Sequence, residues 1–449
     1  MFKRKIEQDL QNWFNNLSNR KEAFIIRGLR QIGKTTTAKY FAEEHFDNVV
    51  YINFLLEKSV KTFFDGDLNV DYIIRMLSAY NLKFNFVPNK TVIIFDEIQE
   101  CPNARTAIKS FMLDGRFAII ATGSLMGLKG YNDQQPSSIP VGFENNVVMK
   151  AMDFEEFMWA KGVKLETIDI IKDCFNKMIK VPDPINSIFM EYFKEYICVG
   201  GMPSAVKEYI DTNNFGKVRK VLERILTSYQ DDFGKHLNAE GNRYESKIEL
   251  HRIQDVYKSI PVQLAKENKK FMYSEIKKNA KGREYLGAVI WLEEYGLINR
   301  CYRLNNISLP LKGNYDEGAF KVYVADTGLF LAMLDSSIYL SIMSNDLGLY
   351  KGAIYENIIA ESFAKNDNDL FYYSKTNGNE IDFVTTNKAK PTLIEVKAAN
   401  NASKSLTNIL KNNPEFNNYK LIYGNVGTAN NINTLPLYMA FLIKDNFMF

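Results

Sequence analysis

The chain has 449 residues, 46% hydrophobic and 24% charged, with 56 Lys and Arg against 53 Asp and Glu for a net charge of +3. Such a length exceeds one ordinary core, so roughly two to four globular domains are expected, and the balance excludes a histone-like polycation while leaving room for a local basic surface. The cysteines, Cys101, Cys174, Cys198 and Cys301, form no C-x-x-C pair, which excludes a zinc or disulfide framework and points to reduced thiols in a cytoplasmic setting.

The N-terminal "MFKRKIEQDLQNWF" is basic without an apolar h-region, so an amphipathic helix is expected rather than a secretory signal. Residues 1–150 then alternate β-rich runs with helical patterns, the mark of a parallel sheet with crossover helices. The strand candidates are "AFIIRG", "NVVYINF", "TVIIFDE" and "FAIIATGS". The first runs into "GLRQIGKTT", where Gly28, Gly33, Lys34 and Thr35 satisfy G-x-x-x-x-G-K-[ST]. Glycines let backbone N–H groups wrap phosphates, and the helix that follows adds its dipole. Lys34 is expected on the β/γ-phosphates of ATP, Thr35 on Mg²⁺, and Thr36 in the same phosphate site.

"TVIIFDEIQE" delivers Asp96 and Glu97 to a strand tip. Asp96 would hold Mg²⁺ directly or through water, and Glu97 would polarise the attacking water. Thr122 and Ser124 sit at the next strand's tip, placed either to sense the γ-phosphate or to cap a turn. Arg30 falls inside the phosphate loop, and Arg105 and Arg116 are surface candidates with no assigned role. The Pro- and Ser-rich Lys129–Pro140 is expected to be a loop.

Helical patterns fill residues 151–265. They open on a capping box at Asp153 and Glu156 and break at Gly200-Gly201 before Pro203 restarts a helix. Over 266–338, Ser274 is expected to cap a short helix, and a longer helix runs to Gly296 before a strand, the outline of a winged helix. Lys277, Lys278, Lys281 and Arg283 form a basic cluster there, either facing phosphates or simply solvated. Residues 339–449 return to strands, and "LPLYMAFLI" (Leu435–Ile443), too short to span a bilayer, is expected to close the sheet.

Within that last segment, "EIDFV" puts Glu380 and Asp382 on one strand face, and "IEVK" puts Glu395 and Lys397 on one face of the next. Glu356 lies beside the apolar arc of the preceding helix. A helix Glu, a strand Asp and a strand E-x-K resemble the PD-(D/E)xK nuclease centre. In that reading Glu356, Asp382 and Glu395 hold Mg²⁺ and Lys397 stabilises the attacking water or the developing charge. The alternative is a solvated hairpin.

Together, "IIRGLRQIGKTTTAKYF", "VVYINF", "VIIFDEIQ", "IIATGS", "DFEEFMWA", "YICVGGMPSAV" and "GAIYENIIAE…NEIDFV…IEVKA" resemble a large prokaryotic family of AAA-type ATP-binding proteins with a restriction-endonuclease-like C-terminal part. The resemblance implies an α/β chain in four parts. These are a P-loop NTPase parallel sheet of the additional-strand, catalytic-glutamate type over 1–150, a helical domain over 151–265, a winged-helix-like domain over 266–338 and a PD-(D/E)xK nuclease-like domain over 339–449. Where relatives carry Gly-Arg near Gly142, this chain has Phe143, so no finger arginine carries over. Two functions remain open: an ATPase directed to DNA whose terminal domain cleaves it, or an ATP-switched regulator docking DNA or a protein partner through an inert nuclease-like domain. A second copy of the chain is one source for the missing arginine.

Overall fold

The computed structural model describes residues 1–19, 21–126, 140–236, 243–266, 269–346, 348–375, 378–397 and 402–444. The chain divides into two compact units: Met1–Ala151 with Asp232–Lys247, and Met152–Asp231 with Ile248–Phe449.

The first unit begins with α1 (Ile6–Asn15), β1 (Ala23–Gly28), α2 (Lys34–His45), β2 (Asn48–Asn53) and α3 (Val70–Tyr80). It continues through β3 (Thr91–Asp96), α4 (Pro102–Asp114), β4 (Ala118–Ser124) and β5 (Glu144–Val148). The five strands form a parallel sheet in the order β2-β3-β4-β1-β5. β4 therefore stands between the strand carrying the glycine loop and the strand carrying Asp96. All six residues of β3 are buried, as expected of a β-branched strand covered by helices on both faces. Phe54, Phe64, Phe95 and Phe111 interlock on one side of it at ring separations of 5.5 to 6.1 Å. The expected loop at Lys129–Pro140 lies, but for Pro140, outside the described residues.

The second unit opens with helices α5 (Phe154–Ala160), α6 (Leu165–Lys177), α7 (Asp183–Val199), α8 (Pro203–Thr212), α9 (Phe215–Asp232) and α10 (Arg243–Leu264), the last two reaching into residues of the first. The capping box is present: Asp153 Oδ1 accepts from Glu156 N at 2.9 Å and Glu156 Oε2 from Asp153 N at 3.0 Å. There follow α11 (Gly282–Tyr295), β6 (Ile298–Leu304), β7 (Tyr315–Val324), α12 (Thr327–Ala332), α13 (Ile338–Met343) and α14 (Lys351–Lys365). The unit ends with β8 (Phe371–Ser374), β9 (Glu380–Asn387), β10 (Lys390–Lys397), α15 (Lys404–Asn412), β11 (Asn417–Ile422), β12 (Gly427–Ala429) and β13 (Ile432–Pro436). Gly296, at φ 92°, ends α11 as its sequence position suggests.

These eight strands make one sheet, β12-β13-β11-β10-β9-β8-β6-β7. β6 pairs with β7 antiparallel and with β8 parallel, so strands on both sides of residue 338 share a sheet. Leu406 and Ile409 of α15 pack on one face with Ile381, Val384 and Leu393. A buried polar lattice ties the Gly200-Gly201 break to α12 and α14. Asp326 accepts from Gly201 N at 2.7 Å and Leu329 N at 3.1 Å, and Glu361 accepts from Thr327 N, Tyr196 OH and Lys365 Nζ at 2.6 to 2.7 Å.

Two expectations are corrected. The apolar Leu435–Ile443 closes the sheet only as far as Pro436; Leu437–Leu442 is a buried 3-10 helix, because an all-apolar run carries no period that separates helix from strand. Ser274 lies inside the short 3-10 turn Tyr273–Glu275 and caps nothing.

Candidate functional site

The glycine loop leaves β1 at Gly28, where a Cβ would collide with the Met149 carbonyl and come within 2.5 Å of Ile32 Cδ1. Only glycine lets β1 lie this close to the chain leaving β5. Gly33, at φ 94°, turns the loop into α2. Lys34, the first residue of α2, is 7% exposed, and its Nζ donates to the carbonyls of Gly28 at 3.0 Å and Leu29 at 2.7 Å. Burial pushes its amine down to about 8 against the opposing charges of Glu97 and Asp96. Thr36 is exposed on the first turn of α2, and Ser124, buried, pairs with Gly28 across β4 and β1.

Asp96 is the hub. Its Oδ1 accepts from Thr35 Oγ1 at 2.7 Å and from Thr122 Oγ1, and its Oδ2 accepts from Tyr51 OH at 2.7 Å and Asn53 Nδ2 at 2.8 Å. Four donors occupy all the lone-pair directions of one carboxylate, which fixes its plane beside the Thr35 hydroxyl. Hard oxygens at Thr35 and Asp96 are the donor set that Mg²⁺ takes. Glu97 follows at the strand tip and accepts from Gln99 Nε2 at 2.5 Å. Thr122 is thus seen to hold Asp96, a role its position alone did not settle. Tyr51, Asn53 and Gln99 were not singled out from the sequence; strand alternation in "NVVYINF" was the available signal for the first two.

The three candidate arginines are each engaged. Arg30 Nε lies 3.1 Å from Asp232. Arg105 is buried, not on the surface, in a two-pronged pair with Glu144 at 2.9 Å. Arg116 pairs with Asp114 and Asp71.

In the second unit the register Phe383↔Ile394 brings Asp382 opposite Glu395. Asp382 Oδ2 accepts from Val396 N at 2.8 Å, and burial together with the charge of Glu356 pushes its carboxyl up to about 7. Glu395 Oε1 lies 3.0 Å from Lys397 Nζ, while its Oε2 is buried without a hydrogen-bond partner among the described residues. Burial opposes the charged form of Lys397, but Asp382 and Glu395 hold its ammonium above the usual lysine range. Glu356 does lean toward the sheet, yet Lys269 Nζ at 2.5 Å and Tyr323 OH at 3.0 Å take its oxygens, with Lys321 at 3.8 Å. Burial would raise the Glu356 carboxyl, and the two lysines overcome it and hold it low. Among the described residues no three His, Cys, Asp or Glu side chains gather to hold a metal ion. Glu356, Asp382 and Glu395 are therefore neighbours without forming a three-carboxylate centre.

Residues 20–158 match the model of the AAA domain, and residues 190–338 and 351–434 match two domains of unknown function, DUF8612 and DUF4143. No curated protein matches. Similar solved structures include ORC2 of Aeropyrum pernix with ADPNP and ADP (14% identity, 77% of this chain and 94% of that one, TM-score 0.35). The RuvB branch-migration motor of Thermotoga maritima is similar at 14% identity, 70% and 91% coverage and TM-score 0.31. The replication initiator DnaA with AMPPCP and single-stranded DNA is similar at 13%, 65% and 88%, and 0.30. The AAA match and the parallel sheet with its glycine loop define the class: an α/β P-loop NTPase. More narrowly, residues 20–158 are similar to the AAA domain, and Lys34, Thr35, Asp96 and Glu97 all fall within that match. No helix among the described residues is long and apolar enough to cross a membrane.

Proposed function

We propose that the chain binds and hydrolyses ATP with Mg²⁺ and uses the cycle to control a DNA-associated C-terminal half. The observation that carries the ATPase reading is the Thr35–Asp96 contact at 2.7 Å beside a lysine turned onto the loop's own carbonyls. Thr35 and Asp96 would hold Mg²⁺, which supplies charge neutralisation at the β- and γ-phosphates. Lys34 Nζ exchanges the Gly28 and Leu29 carbonyls for phosphate oxygens. Glu97 orients a water at the γ-phosphorus and takes its proton as the phosphoryl group leaves. Arg30, Arg105 and Arg116 being paired, an arginine of a second copy completes the charge stabilisation. Lys34→Ala should lose binding of labelled ATP, and Glu97→Gln should bind ATP without turning it over; a Lys34→Ala protein that binds as wild type sinks the reading.

We retain the four-part division at about residues 150, 265 and 338 as part of this proposal. Support for a PD-(D/E)xK-like domain is the order α14, the β8–β9–β10 meander, α15, then β11 parallel to β10. The unpartnered Glu395 Oε2 opposite Asp382 suits one divalent cation held by those two carboxylates, with Lys397 beside it. Support for a winged helix is α11 leading into the β6–β7 pair. Lys277, Lys278, Lys281 and Arg283 are exposed there and form no ion pair among the described residues, a surface suited to phosphates. The four buried free thiols support a cytoplasmic setting. The lysines on Glu356 favour the second reading, an ATP-switched regulator that binds without cutting. Fluorescence polarisation with duplex and single-stranded DNA, with and without ATP, followed by a Mn²⁺ cleavage assay, separates the two. Cleavage selects the nuclease, binding alone selects the regulator, and no binding points to a protein partner.

A further inference from the structure

Glu97 is held in an unusual way. Its φ of 53° is left-handed, and the chain turns directly from β3 into the 3-10 turn Ile98–Glu100. A residue with a Cβ adopts that conformation at a cost, and such cost gathers at functional positions. The turn carries Gln99 back onto the Glu97 side chain, where its Nε2 donates to Oε2 at 2.5 Å. Among the described residues this is the one hydrogen bond to the Glu97 carboxylate. Gln99 is 8% exposed, and its own Oε1 is buried with no partner. Exchanging the amide ends would press Oε1 against a carboxylate, so the donor must face Glu97. A methionine would fill the same space without burying an unpaired acceptor. The position thus carries an unmet polar atom whose one compensation is the bond to Glu97.

We infer that Gln99 is a positioning residue for ATP hydrolysis, its amide fixing the direction of the Glu97 carboxylate. The inference rests on Glu97 being the group that takes the water's proton. A carboxylate held by a fixed donor is aimed before the water arrives, so no reorientation is needed at the moment of reaction. Asp96 is fixed by four donors from β2, β4 and α2, whereas Glu97 depends on one residue of its own turn. Nucleotide contacts made by Lys34 and Thr35 do not involve Gln99, so its removal separates turnover from binding.

The test uses the full chain and follows Mg-ATP turnover against ATP concentration for wild type, Glu97→Gln, Gln99→Met and Gln99→Asn. For Gln99→Met, kcat should fall about 10- to 100-fold, the worth of a hydrogen bond to a charged group. KM should stay within about twofold, because the contacts of Lys34 and Thr35 are untouched. Gln99→Asn keeps an amide one methylene short and should fall between the two. A Gln99→Met protein that retains wild-type kcat, while Glu97→Gln is inactive, overturns the inference alone. Equal changes in kcat and KM, with no partial rescue by Gln99→Asn, would make Gln99 structural and overturn it as well. A wild type that does not hydrolyse ATP, or a Glu97→Gln as fast as wild type, overturns this inference together with the reading beneath it.

Discussion

Replacing Lys34 by methionine should remove ATP binding and at the same time make the ATP-binding unit harder to open. Lys34 ionises near 8 in the fold against 10.5 for a solvated lysine, a gap equivalent to about 3 kcal/mol of strain in the charged form. Two hydrogen bonds to the Gly28 and Leu29 carbonyls offset part of that, at about 1 kcal/mol each. Methionine matches the length of the stem and carries no charge, so the net gain is about 1 kcal/mol, or roughly five- to tenfold slower exchange of the amides in β1 and β3. The pH dependence fixes the cause. Because the folded pKa is depressed, the penalty is complete below pH 8 and fades as pH rises from 8 toward 10.5. Hydrogen exchange, corrected for intrinsic rates, should therefore show the variant better protected at pH 7, level with wild type at about pH 9 and less protected near pH 10, where the lost hydrogen bonds outweigh the remaining penalty. Faster exchange in the variant at pH 7, or a difference that ignores pH, would refute the reasoning.

Gly28→Ala should lower stability by about 1–3 kcal/mol and weaken ATP, since the new methyl meets the Met149 carbonyl of the chain leaving β5; melting curves and an ATP titration read both. Thr122→Val takes one of four donors from Asp96 and should raise the Mg²⁺ needed for half-maximal turnover about tenfold, with ATP binding in the absence of metal unchanged. In an Asp96→Asn background, which removes the other proposed cation site, Mn²⁺ at a hundred times its dissociation constant should stabilise the full chain by about 2.7 kcal/mol, and adding Asp382→Asn should abolish that shift. Without metal, Asp382→Asn alone should outlast wild type at pH 8 in thermal melts. The folded carboxyl of Asp382 sits near 7, above its ordinary 3.8, so wild type loses stability as pH rises through 7 and the asparagine does not.

The loop and acid pair of the proposed ATP site were legible because their signals are local. A glycine loop between a strand and a helix, and an acid pair ending a strand, are each contained in about ten residues. β5 was not legible: "ENNVV" has no apolar alternation, and it becomes a strand by pairing with β1 from Ala23 to Arg27. The four donors on Asp96 come from three elements separated by up to 87 positions, from Thr35 to Thr122, a distance no spacing rule covers. In the C-terminal part alternation correctly placed Asp382, Glu395 and Lys397 on one face. It could not show that Lys269 and Lys321, remote along the chain, would claim Glu356 and so leave two carboxylates where three were expected.

The β6–β8 pairing, Tyr302↔Phe371 to Leu304↔Tyr373, decides how this protein can be cut. A fragment beginning near residue 339 would present β8 as a bare edge, with a row of unpaired amide and carbonyl groups on a strand rich in aromatics. A fragment ending there would do the same for β6. Open edges of that kind recruit strands from other molecules, so both halves should come out of a bacterium as aggregates, whatever their individual chemistry. A fragment that starts at residue 152 keeps β6, β7 and β8 together, and with them the Tyr196 and Gly201 partners of α12 and α14, and should stay in solution.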